Sequence, residues 1–309
     1  MNSILRLALA DAREDGLALL EAGRRDNDPV VVVEGEYVLG VTSFWEGRFQ
    51  ESRRHLGAAI DRYSSGSRET HLTVYSQDPK VVCLSRLAWT LWLLGYPDEA
   101  AEARDSALSL ADEFNHPFSR CYASLYGAIV SQALHDDSAR ARLVEAAETI
   151  ATDEQFELLR AWAAVLREAS LAHRGDSAAL IATTSAVSRL EKTRRPLLNS
   201  YFLALLARAC LAAGEPRQGL EAVTTALTDT QRTGARYMEA DLQCLRGELL
   251  VASGADPADI EAAFGLAREI ACRQEAKAFE LRAARELARW GAARSQLSCS
   301  RTRVPSPRQ

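Results

Sequence analysis

The sequence predicts an all-α protein, a right-handed superhelical solenoid of antiparallel helix pairs. Two observations indicate this fold class. A pattern returns about every 40 residues along the chain, and no segment alternates polar and apolar residues as a strand would. The clearest copy runs from Leu84 to Ala111 and reads LSRLAWTLWLLGYPDEAAEARDSALSLA. A repeat of this length is typical of helix pairs that stack into a continuous array.

Each copy predicts an apolar helix, a turn and an amphipathic helix. In the clearest copy, Leu84, Leu87 and Leu91 recur at the spacing of one helix face. Gly95 follows, where a residue without a Cβ atom can adopt positive φ. Pro97 suits the first turn of the next helix, because its missing N–H has no intrahelical partner there.

The same pattern predicts six helix pairs with one unpaired helix at each end. The expected turns within pairs contain Gly47, Gly95, Asp136, Gly175, Gly214 and Gly254. The pairs are 31–46 with 48–63, 79–94 with 97–113, 117–134 with 137–151, 156–174 with 177–192, 197–212 with 216–232, and 237–253 with 257–272; the end helices are 3–24 and 275–290. We therefore assign 1–290 to the repeat array.

Two segments fall outside the repeat pattern. The stretch 64–78 is the longest interruption, and we expect an ordered loop there that caps one edge, followed by an N-cap at Asp78. Residues 291–309 are basic and contain proline without a helical period, which predicts a disordered tail.

Composition narrows the class of function. The chain has 37 basic and 42 acidic residues and a net charge of −5, and an acidic body argues against a nucleic-acid surface. No apolar run reaches the roughly 20 residues that span a bilayer, and the N-terminus lacks a cleavage site of small residues. We expect a cytoplasmic protein that does not insert into a membrane.

The reactive residue types are scattered. The six cysteines occur singly, and we expect buried free thiols at the five that lie in helical patterns. The five histidines show no metal-ligand spacing, and no nucleophile–base set is recognisable. The sequence therefore predicts no cofactor, no metal and no catalytic activity.

The repeat resembles the tetratricopeptide repeat. In the first copy, the positions that match its pattern of small and apolar residues are Leu39, Gly40, Gly47, Leu56 and Ala59. The fourth copy fits least well, and most copies are longer than the standard repeat. The resemblance implies stacked helix pairs around a concave groove.

Two segments are similar to a more specific group, the C-terminal helical region of bacterial multidomain regulators that combine an AAA/STAND-type ATPase with a nucleotidyl cyclase. They are Tyr75–Ala100, YSQDPKVVCLSRLAWTLWLLGYPDEA, and GARYMEADLQCLRGELL with FGLAREIACRQEAKAFELRAARELARW, which ends at Trp290. The sequence contains no GxxxxGK[ST] phosphate loop and no predicted strand for a cyclase site. The resemblance therefore implies only the scaffold role, and we expect a fragment or truncated form of such a regulator.

We expect six aromatic side chains to face the concave groove. Rings exposed in a groove are frequent anchors for peptides, but the same rings could instead pack between adjacent helix pairs. The six are Tyr37, Phe44, Trp89, Trp92, Trp162 and Tyr201.

The sequence leaves three functions open. The first is a non-catalytic scaffold, part of a signalling protein, that binds a protein or peptide partner. The second is a regulatory domain that senses a small molecule. The third is a non-catalytic subunit of a separately encoded ATPase or cyclase. A salt-sensitive, extended groove would favour the scaffold, one closed pocket ringed by aromatic residues would favour the sensor, and a genomic neighbour that carries the phosphate loop would favour the subunit.

Overall fold

The computed structural model describes residues 9–75, 77–172, 177–191 and 196–301. Within these ranges the chain forms fifteen α-helices and two 3₁₀ turns, with no strand, which confirms the all-α prediction. The helices are α1 (Leu9–Arg25), α2 (Pro29–Trp45), α3 (Phe49–Arg62), α4 (Arg68–Tyr75), α5 (Pro79–Leu94), α6 (Pro97–Phe114), α7 (Pro117–Ala133), α8 (Asp137–Asp153), α9 (Glu157–Ala172), α10 (Ser177–Glu191), α11 (Asn199–Ala212), α12 (Pro216–Thr233), α13 (Glu239–Ala252), α14 (Pro257–Arg273) and α15 (Lys277–Arg301); the 3₁₀ turns are Ser65–Ser67 and Pro196–Leu198.

Local sequence explains where the helices begin. Asp28 precedes Pro29, and its carboxylate accepts hydrogen bonds from the first free backbone N–H groups of α2. Asp78 does the same for α5, where it accepts from Val81 N–H at 3.1 Å, as predicted. Proline at the first helical position adds a residue whose φ already suits a helix.

The turns within pairs follow the sequence closely. One prediction needs refinement, because His135 adopts the left-handed conformation (φ 60°) and Asp136 is the N-cap of α8. Gly175 lies outside the described residues. The predicted turn glycines with positive φ are Gly47, Gly95, Gly214 and Gly254.

The helices form two layers. The first helices of successive pairs, α2, α5, α7, α9, α11 and α13, contact one another in sequence and form the inner layer of the solenoid. The second helix of each pair packs on the outside. This difference is visible in burial, because α2 is buried on all sides from Val33 to Trp45, whereas α3 buries only the stripe of Phe49, Ser52, Leu56 and Ala59.

The array closes on itself. The backbone N–H of Tyr237, just before α13, donates to the carbonyl of Trp45 at the end of α2, at 3.2 Å. The Gln274 side chain donates to the carbonyl of Arg236 at 2.8 Å. The ring of Trp92 on α5 meets Phe279 on α15 edge to face, with centroids 6.0 Å apart. The turn of the first pair thus lies against the sixth pair, and the inner layer is not an open groove.

Two predictions about irregular segments are wrong. The stretch 64–78 is not a plain loop: it contains the first 3₁₀ turn and α4, which places His71 in the interior, while residue 76 lies outside the described residues. Residues 291–301 are not a disordered tail, because α15 continues to Arg301. Residues 302–309 lie outside the described residues.

A buried ion cluster fastens the last helix. Asp241 on α13 is 1% exposed and accepts from Arg208 on α11 at 2.5 Å and from Arg282 on α15. Arg282 also donates to Glu248 at 2.7 Å. Burial alone would raise the pKa of Asp241, but the two guanidinium groups outweigh it and hold the pKa below its ordinary value. The cluster joins α11, α13 and α15.

We predict opposite effects for two glycine-to-alanine substitutions. A Cβ at Gly40 would lie 2.7 Å from Leu56 Cδ2 and 3.0 Å from the Leu56 backbone nitrogen, whereas a Cβ at Gly57 meets no atom within 4 Å. Gly40→Ala should therefore lower the free energy of unfolding by about 1–3 kcal/mol. Gly57→Ala should raise it by about 0.5–1 kcal/mol, because alanine favours the helix. Urea unfolding measures both, and equal effects would contradict this packing.

We predict that Asp241→Asn destabilises the protein at neutral pH by about 3–5 kcal/mol, because two buried arginines lose their carboxylate. Since the folded-state pKa of Asp241 is lowered, its stabilisation is present above the ordinary value of about 3.9 and is lost as the pH falls through the folded value. The difference between Asp241→Asn and the wild type should therefore shrink in acid. Glu157→Gln, which removes an exposed ion pair with Arg160, should cost less than about 1 kcal/mol. A gap that is independent of pH would contradict the role of the carboxylate.

Candidate functional site at the inner face

The six predicted groove residues lie on inner helices, but they do not line an accessible groove. Five are buried, with Phe44 completely inaccessible, and Trp92 is partly buried at the contact with Phe279. The rings pack in the interior instead, partly between adjacent pairs, as Phe44 does with Trp89, and partly across the array, as Trp89 does with Tyr201. The positions are Tyr37 and Phe44 on α2, Trp89 and Trp92 on α5, Trp162 on α9, and Tyr201 on α11.

Most of these rings join into one continuous cluster. Trp89 is central, with its ring centroid 5.1 Å from Phe44 and 5.2 Å from Tyr201. Tyr237 connects the far side of the array, because its centroid lies 5.3 Å from Phe44 and 5.7 Å from Trp89. Trp162 joins through Tyr126 at 5.9 Å. We call these rings, with Trp45, Tyr122 and Arg86, the inner-face cluster.

Arg86 is the residue that the sequence analysis missed. It lies on α5 three residues before Trp89 and is 6% exposed. A signal for it was present, because it is the only charged residue between Val81 and Leu94, in a helix that is otherwise apolar or small. A charged residue in a helix that is otherwise apolar is expected to be buried together with a polar partner.

The guanidinium of Arg86 is enclosed by aromatic faces. Its central carbon lies 4.3 Å from the Trp45 ring centroid, 4.5 Å from that of Tyr126 and 5.3 Å from that of Phe44. Its Nε donates to the Tyr122 hydroxyl at 2.8 Å. These contacts are favourable cation–π and hydrogen-bonding interactions, but they leave the positive charge without an anion.

No group of the cluster supplies that anion. In the described ranges, no carboxylate lies within the 4.0 Å of an ion pair with Arg86. Burial raises the pKa of Tyr37 and Tyr237 and raises that of Tyr126 well above its ordinary value, and the charge of Arg86 offsets this only in part. These hydroxyls are therefore neutral at physiological pH.

Two buried donors at Arg86 lack hydrogen-bond partners in the described structure, Arg86 Nη1 and Trp45 Nε1. The hydroxyl of Tyr126 lies beside that of Tyr122, and the hydroxyl of Tyr237 lies beside Ser200, so these two hydroxyls have polar neighbours within the protein. Most buried polar atoms in proteins are paired, so unpaired donors at one cation are unusual. The cluster has spare capacity for a ligand that accepts hydrogen bonds.

A second polar layer lies next to the cluster, under α4. A carboxylate oxygen of Glu34 on α2 lies 2.7 Å from His71 Nδ1, within hydrogen-bonding distance, and both side chains are buried. The Tyr63 ring stacks on the His71 ring with centroids 5.6 Å apart, and the Tyr63 hydroxyl donates to Asp78 at 2.7 Å. Arg68 donates to the Phe114 carbonyl and holds α4 against the end of α6. These contacts fix α4 across the inner helices.

The cysteines differ from the prediction at one position. Cys83, Cys121, Cys210 and Cys244 are buried free thiols, whereas Cys272 is exposed; the side chain of Cys299 lies outside the described residues. Burial raises the pKa of the Cys121 thiol to about 12 and that of Cys210 to about 11. Thiols of this kind are poor nucleophiles.

The described part of the chain contains no group of three or more His, Cys, Asp or Glu side chains placed to hold a metal ion. In the same part, no helix is both long enough and apolar enough to cross a membrane.

We predict that Trp89→Ala behaves as a core deletion. Loss of the ring that joins Phe44, Tyr201 and Tyr237 should lower the free energy of unfolding by about 3–5 kcal/mol. Tyr96→Ala, which removes an exposed ring under Arg53, should cost less than about 1 kcal/mol. Thermal unfolding compares the two variants. Similar melting temperatures for both would contradict the central position of Trp89.

The chain is similar to one part of a longer protein. No family model matches the chain. An uncharacterized protein of Rhizobium meliloti (strain 1021) is 25% identical over 260 residues, which cover 83% of this chain and 25% of that protein. The chain therefore spans about a quarter of the length of the curated relative that it matches.

Proposed function

We propose that the chain is a non-catalytic regulatory module whose closed inner face responds to a small molecule. The observation that carries this proposal is the closure of the array over the inner-face cluster, between Trp45 and Tyr237 and between Trp92 and Phe279. An extended peptide needs an open groove with accessible anchors, and the rings that would serve as anchors are buried. A small molecule needs an apolar cavity with a few convergent polar groups, which a partial separation of the closing contacts would open at the inner-face cluster.

Closure also supplies a mechanism for regulation. The contacts that close the array are few and lie far apart in sequence, so a ligand that strengthens or weakens them shifts the balance between closed and open forms. Helices of the inner layer would carry that shift along the array, because each contacts the next. The response is then a change in the curvature of the solenoid, which a neighbouring domain can read.

We further propose that the module belongs to a larger bacterial signalling protein of the ATPase–cyclase kind and acts in the cytoplasm. The resemblance of its repeat segments to the helical region of such regulators supports this lineage, and a match that covers a quarter of a longer relative supports membership of a larger protein. The buried, weakly acidic thiols agree with a module without its own chemistry.

A protein-interaction scaffold is the second candidate, with its surface on the outside of the array. An open groove of about 480 Å³ runs along α3 and is lined by Arg53, Arg54 and Arg62 with Asp61 and Gln50. Its excess of positive charge favours an acidic peptide. Binding there would weaken with salt and would leave the inner-face cluster unchanged.

We predict that a small molecule stabilises the closed form. The test is a thermal-shift screen of the purified chain against neutral, cationic and anionic small molecules, followed by hydrogen exchange of the Tyr237 amide with each hit. A sensor gives at least one compound that raises the melting temperature saturably and slows exchange of this amide, because its partner is the closing carbonyl of Trp45. Stabilising compounds that leave this exchange unchanged, or no stabilising compound in any class, would contradict the proposal.

A further inference from the structure

We propose that Arg86 anchors a binding site for a small oxyanion, a carboxylate or a phosphate group, inside the inner-face cluster. The proposal rests on the sensing function proposed above and names its ligand class. Arg86 is buried, and in the described ranges no carboxylate lies within ion-pair distance of it. An isolated charge in a protein interior is strongly unfavourable, and a bound anion removes that penalty.

The nearby acidic residues are already engaged elsewhere. Glu34 is bound to His71 at 2.7 Å, and Glu36 is bound to His55 at 2.6 Å. Asp78 caps α5 and accepts from the Tyr63 hydroxyl. None of these three carboxylates is within 4.0 Å of Arg86, so among the described residues they leave Arg86 without a paired anion.

The unpaired atoms are hydrogen-bond donors, so they favour a ligand that accepts hydrogen bonds. Arginine has only donors, and its Nε is occupied by Tyr122, which leaves Nη1 for a ligand. Trp45 Nε1 is also only a donor and has no partner in the described structure. A cationic ligand is repelled by Arg86, and a neutral one leaves the charge unpaired. A carboxylate or phosphate oxygen both accepts from these donors and neutralises the charge of Arg86, with charge-assisted hydrogen bonds.

The surroundings limit the size of the ligand. Rings of Trp45 and Tyr126 lie 4.3 and 4.5 Å from the guanidinium carbon, so a ligand that reaches Nη1 has to be small or has to displace one of these rings. Entry requires the closing contacts to separate briefly. Once bound, an oxyanion connects Trp45 on α2 with Arg86 on α5, beside the carbonyl that accepts from Tyr237. Binding is therefore coupled to closure.

The test compares oxyanions with chloride at constant ionic strength. Acetate, benzoate, inorganic phosphate and sulfate are titrated into the full chain, with melting temperature and tryptophan fluorescence as readouts, since Trp45 and Trp89 lie in the cluster. We expect a saturable rise in melting temperature with at least one oxyanion and none with chloride. Carboxylates acting alone would identify a carboxylate ligand, and phosphate or sulfate acting alone would identify a phosphate group.

Two variants and a control separate the site from general salt effects. Arg86→Met should abolish the response, whereas Arg246→Met, at an exposed arginine of α13, should retain it. Arg86→Lys keeps the charge but loses the planar fork, and the affinity should fall at least about tenfold. This variant also decides the matter if Arg86→Met does not fold.

The outcomes against the proposal are specific. An unchanged oxyanion affinity in either Arg86 variant, or no oxyanion response in folded wild-type protein, would overturn the oxyanion site. A neutral compound that stabilises wild type and Arg86→Met equally, together with no oxyanion response in folded wild-type protein, would overturn the site while supporting the sensing function. The failure of this inference is therefore distinguishable from the failure of the proposed function.

Discussion

The contact between the first and sixth helix pairs is the constraint on which the rest of the structure depends. It joins Trp45 to Tyr237 through a backbone hydrogen bond and joins their rings, with centroids 4.8 Å apart. In an open solenoid each pair contacts only its neighbours, and the inner face remains accessible. Here the ends meet, and the inner face becomes a core. Loss of the groove and burial of Phe44 against Tyr237 follow from this contact. Arg86 is enclosed by rings of the neighbouring pairs, Trp45 and Tyr126.

Enclosure removes Arg86 from solvent and leaves its charge without a paired carboxylate. On an open concave face, a lone arginine among aromatic rings would be solvated, and its charge would need no partner. Inside the closed array it keeps its cation–π contacts but has no anion. Sequences generally agree with their folds at every level, and local conflicts concentrate at functional sites. A buried guanidinium without a carboxylate partner is such a conflict, whereas the carboxylate of Asp241, which accepts from Arg208, is not.

The elements could be predicted because their signals are local. Asp78 and Pro79 mark the start of α5, and Gly95 marks its end, so the helix follows from neighbouring residues alone. The six aromatic residues could be assigned to the inner helices for the same reason. Whether their rings were accessible could not be predicted, because that depends on contacts between residues about 190 positions apart. Arg86 carried a sequence signal, but its lack of a partner became visible only once Glu34 was found with His71.

The sequence by itself determined the all-α class, the six helix pairs and the turns between them, because helix periodicity, caps and positive-φ residues act over a few positions. The tertiary structure decided how far the array curls, and therefore that Trp89 is core and that α4 lies over Glu34. It also extended α15 to Arg301, where composition had indicated disorder. Curvature is the sum of many small rotations between neighbouring pairs, and each depends on side-chain packing that no local pattern encodes.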